Sequence, residues 1–209
     1  MIIAAKLGSA VAILWQNYGL IIFFEKKIWP LPQFGGGRLF LCGMDKYLFL
    51  DFDGVLNTEF YQDLLIWKGE PWRDEHGPLF DPQAVEQLKQ IIDATHADIV
   101  IVSSWKYLGL EAMQDMWEAR HLPGRVIDIT PSVVSASRSL DDNGLDARQS
   151  KGIEIDFWLF ENAARDARYV IIDDEYVILD SQLPHFILTN PFDGITDLLA
   201  TRAIALLNG

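Results

Sequence analysis

Five short runs with apolar centres, the first of them nearly all-apolar, constrain this chain more than any other feature. They are KYLFLDF (46–52), ADIVIVSS (97–104), RVIDIT (125–130), RYVIIDDE (168–175) and HFILTN (185–190). A strand that exposes one face alternates apolar and polar residues, whereas a strand covered on both faces does not. Stretches of helical period lie between these runs. In DPQAVEQLKQIIDATHA (81–97), Asp81 is placed to cap, Pro82 takes the first helical position, and Val85, Leu88, Ile91 and Ile92 share a face. LGLEAMQDMWEARHL reads as a helix ending before Pro123-Gly124, KGIEIDFWLFENAA as another, and TDLLATRAIALL as a last one with Thr196 as its cap. Such alternation predicts an α/β fold: a doubly wound parallel sheet with helices on both faces.

In a sheet of this kind ligands sit beyond the carboxyl ends of the strands. Three runs end there in reactive groups: Asp51 and Asp53 after the first, Ser103 and Ser104 after the second, Asp173 and Asp174 after the fourth. Lys151 opens the helix that leads into the fourth. Four carboxylates in one crevice repel one another unless a cation neutralises them, and an all-oxygen set suits a hard divalent ion such as Mg²⁺. An aspartate can also act as a nucleophile toward phosphorus and form an acyl-phosphate.

At this point the residues resemble a family. LDFDGVLN (50–57) is similar to the first motif of HAD (haloacid dehalogenase-like) hydrolases, VIVSS to the second, Lys151 to the third and IIDDE to the acidic fourth, in the family's order. The SSW after the second motif, KGIEI and the late DGIT resemble the HAD domains of Swiss-army-knife RNA-repair proteins, although Lys151 stands where arginine is at least as frequent. The resemblance covers about 45–200. It implies a HAD-like Rossmannoid domain over 45–209 and a magnesium-dependent phosphomonoester hydrolase. In that reading Asp51 attacks phosphorus and binds the metal. Asp53 is the acid/base, and its backbone carbonyl is a further metal ligand. Ser103, with Ser104 beside it, and Lys151 hold the phosphoryl group. Asp174 binds the metal, with Asp173 beside it or acting through water. Gly54 lets the chain turn and brings backbone N–H groups toward the phosphate.

Other features bound the reading. Residues 58–80 are aromatic and turn-rich without a period, too few for a large cap, so a short loop or flap is expected. Tyr61, Trp67 and Trp72 would stack on a base or pack that flap. The substrate is some phosphorylated molecule; an open cleft admits a nucleic-acid end, but the net charge of −13 disfavours a polyanion. No stable partner is inferred. Trp105 and Trp158 read as packing residues, and His76, His96, His121 and His185 lack metal-ligand spacing. Arg138 and Arg148 precede Lys151 in a polar stretch and either grip a phosphate or are ordinary exposed arginines. Residues 1–44 form an extension of open role, with the acidic excess lying wholly beyond it. Its apolar segment 9–24 is short for a membrane anchor, and Gln16 and Asn17 interrupt it. One cysteine, Cys42, permits no intrachain disulfide and suits a reducing, cytoplasmic setting. Two rivals remain: a receiver-like phospho-accepting domain, which would carry its acceptor mid-chain, and a binding module of the same fold, which would have lost a motif residue.

Overall fold

The computed structural model describes residues 2–7, 10–15, 20–25, 45–132 and 150–209. The polar stretch 133–149, with Arg138 and Arg148, and Cys42 lie outside the described residues. The chain divides into two units, one holding residues 1–43 and 132–147 and the other holding the rest.

In the first unit, β1 (Ile2–Leu7), β2 (Ala10–Trp15) and β3 (Leu20–Glu25) form an antiparallel sheet in the order β1-β2-β3. Ile2 is opposite Trp15, and Ala10 is opposite Glu25. Of the segment weighed as an anchor, the described residues are strand, β2 and all but the last residue of β3, in keeping with their Val, Ile and Phe content. Among the described residues no helix is long and apolar enough to cross a membrane.

The second unit runs β4 (Lys46–Leu50), α1 (Glu59–Lys68), β5 (Arg73–Asp74), β6 (Gly77–Pro78), α2 (Pro82–Thr95), β7 (Asp98–Ile101), α3 (Leu110–Ala119), β8 (Val126–Ile129), α4 (Ser150–Asn162), β9 (Arg168–Asp173), β10 (Phe186–Leu188) and α5 (Asp197–Asn208). Five strands form one parallel sheet in the order β10-β9-β4-β7-β8. Successive side chains of a strand point to opposite faces, and the core follows that alternation. Leu48, Leu50, Ile99, Ile101, Val170 and Ile172 pack with Leu88 and Ile91 of α2, Met113 and Met116 of α3, and Ala203 and Leu207 of α5. Tyr47, Phe49, Val100 and Ile171 pack on the other face with Ile155 and Trp158 of α4. Trp158 meets Tyr47 and Phe49 edge-on and donates its indole N–H to Asp128 at 2.6 Å. It is a packing residue, as its sequence context suggests.

The expected loop or flap after the first motif is a helix, α1, followed by a hairpin, β5–β6. Thr58 caps α1 by accepting from the Tyr61 N–H at 3.2 Å. Gly69 ends it in the left-handed region (φ 70°), a conformation that glycine adopts without strain. The Thr58 hydroxyl also donates to Asp81 at 2.8 Å, and Asp81 caps α2 by accepting from the Gln83 N–H. Thr196 does occupy the cap position of α5, but its side chain makes no capping bond.

Candidate active site

The sheet is built outward from β4, with β7 and β8 added on one side and β9 and β10 on the other. That reversal opens a crevice beyond the strand ends. Asp51 lies on it directly after β4, and its N–H donates to the Ile172 carbonyl at 3.1 Å. Asp173 ends β9, and Asp174 follows. One carboxylate oxygen from each of these three residues lies within 4.8 Å of the other two.

Lys151, in the first turn of α4, donates to one oxygen of Asp51 and, at 2.7 Å, to one of Asp173. The second oxygen of Asp51 accepts the Phe52 N–H at 2.7 Å, and that of Asp173 accepts the Glu175 N–H at 3.0 Å. Asp173 is 1% exposed. Its burial, then the charge of Asp51, push its carboxyl up to about 7, against the pull of Lys151. Burial, then Asp51, also raise Asp174. For Lys151, burial opposes the charge, but the two carboxylates outweigh it and hold the ammonium above its ordinary value. One ammonium therefore faces three crowded carboxylates. An all-oxygen donor set with surplus negative charge fits a hard divalent cation.

Gly54 (φ 65°) fits this corner twice over. Its conformation is one L side chains rarely adopt, and a Cβ there would overlap the Asp174 carboxylate. Its own N–H donates to the Asn57 carbonyl at 2.9 Å. Thr189 fixes the Gly54 carbonyl with its hydroxyl at 2.8 Å. The late DGIT segment folds onto the same turn, because Ile195 N–H donates to the Val55 carbonyl at 3.1 Å.

Asp53 stands apart from the three-carboxylate cluster. Asn57 Nδ2 donates to its Oδ1 at 2.7 Å, and Trp105 Nε1 donates to its Oδ2 at 3.0 Å. Ser103 is fully buried at the end of the strand run and caps the 3-10 turn Ser104–Leu108, accepting the Trp105 N–H at 3.4 Å. An accepted bond leaves a hydroxyl proton to donate. Ser104 is exposed. Behind these groups Lys106 pairs with Glu154 of α4 and donates to Thr130 at 2.8 Å, which ties the helix bearing Lys151 to the ends of β7 and β8.

The structure thus brings together Asp51, Asp173, Asp174 and Lys151, with Gly54 against Asp174. Sequence reasoning missed Asn57, Lys106, Thr189 and the polar role of Trp105. Asn57 closes the first motif and Trp105 follows the second, so proximity to a motif was the available signal.

A five-stranded parallel sheet with Asp-x-Asp-Gly after its first strand, a lysine on a later helix and an acidic pair at the end of β9 defines a HAD-class hydrolase domain. Residues 47–200 match the family described as the HAD domain in Swiss Army Knife RNA repair proteins, and the chain belongs to that family. No curated protein and no solved structure matches the chain.

Proposed function

We propose that this domain is a magnesium-dependent phosphomonoester hydrolase that works through an aspartyl-phosphate on Asp51. The observation that carries this reading is the pairing of Asp51 with Lys151 inside a three-carboxylate cluster at the switch point. Asp51, Asp173 and Asp174, with the backbone carbonyl of Asp53, would hold Mg²⁺. When bound, it supplies charge neutralisation that lets a phosphate dianion approach the carboxylates.

This chain's own groups do the rest. An Asp51 oxygen forms a bond to phosphorus as the bond from phosphorus to the ester oxygen breaks. Asp53 gives its proton to that departing oxygen. A water then attacks the phosphoryl group, Asp53 takes the water's proton, and the Asp51–phosphorus bond breaks to release inorganic phosphate. Lys151 and Ser103 offset charge on the equatorial oxygens.

The segment after the first motif, α1 with the β5–β6 hairpin, is too short for a large cap, which favours a cleft open to bulky phosphorylated substrates. The family description includes RNA repair, which makes an RNA end one candidate, while the charge of −13 weighs against long polyanions. A receiver would carry its acceptor mid-chain, where β7 leads instead to Ser103.

Hydrolysis of p-nitrophenyl phosphate is expected to require Mg²⁺ and to stop with a chelator. The same assay, extended to phosphometabolites, nucleotides and end-phosphorylated oligonucleotides, identifies the substrate class. Full turnover in metal-free buffer contradicts the magnesium mechanism.

A further inference from the structure

Both oxygens of the Asp53 carboxylate are held by donors, Asn57 from its own turn and Trp105 from beyond β7. Neither bond offers an acceptor, since an indole N–H and an amide NH₂ only donate.

The Trp105 ring is itself fixed on several sides. Phe52 meets it edge-on at 5.5 Å and Phe80 lies at 5.9 Å. The β5–β6 hairpin closes on it so tightly that a Cβ on Gly77 would come within 2.9 Å of the ring. That hairpin is clamped in turn. Arg120, just past α3, donates to both oxygens of Asp74 at 3.0 and 2.6 Å and to the Gly77 carbonyl at 3.1 Å, and lies over Phe80. One continuous set of contacts thus runs from α3 through the hairpin and the indole to Asp53.

We propose that Trp105 is a positioning residue for the acid/base. Held by the hairpin, its indole N–H fixes the direction in which Asp53 presents its proton to the departing oxygen. This rests on the reading of Asp53 as the acid/base given above. A misdirected acid matters in proportion to how much protonation the leaving group needs.

The test compares kcat/KM for an alkyl phosphate and for p-nitrophenyl phosphate, using the full chain with Mg²⁺. Trp105→Phe keeps the ring and removes the N–H. It is expected to lose about 10- to 100-fold with the alkyl ester, a part of the roughly 10²–10⁴ that acid catalysis supplies, and only several-fold with the aryl ester. Gly77→Ala, which leaves the indole intact but pushes on it, is expected to show the same selective loss. In an Asp53→Asn background, Trp105→Phe is expected to add nothing further, because its effect passes through Asp53.

Equal loss on both esters in Trp105→Phe, or a loss that persists undiminished in Asp53→Asn, overturns the positioning role. If Asp53→Asn alone shows no preference between the esters, the acid/base assignment falls instead. Wild-type inertness to both esters overturns the phosphatase reading, and this one with it.

Discussion

At the scale of single residues, the site is a problem in crowded negative charge. Asp173 holds its proton up to about pH 7, against an ordinary value of 3.8, because it is buried and faces Asp51. Between roughly pH 4 and pH 7 the folded chain thus keeps a proton that the unfolded chain has released. The contribution of this group to stability falls as pH rises through that window and is level above it. A metal needs the carboxylate, so binding displaces the proton below pH 7 and is weakened there. The rise in melting temperature caused by Mg²⁺ is therefore expected to be larger at pH 8 than at pH 5, and the pH dependence should flatten in Asp173→Asn. Equal shifts at both pH values would contradict this account. The positions of Asp51, Asp53, Asp174 and Lys151 could be singled out in the sequence because each lies beside a strand run of apolar centre, and the structure brings Asp51, Asp174 and Lys151 to one crevice. The bond from Trp105 to Asp53 could not, because an indole reads as apolar until its partner, 52 residues away, is placed.

At the scale of elements, the central parallel strands were legible because burial on both faces leaves a run of apolar residues in each, Tyr47–Leu50 in β4, Ile99–Ile101 in β7 and Val170–Ile172 in β9. α2 was legible from its apolar face and from Asp81 and Pro82. α1 was not, and its burial says why. Only Leu65 is buried, while Phe60, Ile66 and Trp67 face solvent, Trp67 at 83% exposure, so no apolar stripe marks the helix. Its ends define it instead, through Thr58 and Gly69. Because the Thr58 hydroxyl serves α1 and the cap of α2 together, Thr58→Ala is expected to lower the unfolding free energy by about 1–2 kcal/mol. Thr58→Ser, which keeps the hydroxyl, should recover most of it. Denaturant melts of the two variants check this, and a neutral alanine would show that the two caps are independent of Thr58.

At the scale of the whole molecule, the second unit closes its own core, with α2, α3 and α5 on one face of the sheet and α4 on the other. The antiparallel pairing of β1, β2 and β3 was hidden in the sequence because their apolar runs are too uniform to reveal a period. Every group placed in the site lies beyond residue 50, so removal of residues 1–43 is expected to leave a folded, metal-responsive protein melting within a few degrees of the full chain. A large drop in melting temperature or loss of solubility would instead make β1–β3 part of the fold. The central claim is that Asp51 carries the phosphoryl group. Asp53→Asn keeps the nucleophile but slows hydrolysis of the intermediate, so brief reaction with p-nitrophenyl phosphate and Mg²⁺, acid quench and peptide mass spectrometry give the most direct measurement. The account expects phosphate on the peptide containing Asp51, and turnover reduced by several orders of magnitude in Asp51→Asn. Phosphate trapped on any other residue, or wild-type turnover surviving in Asp51→Asn, would contradict it.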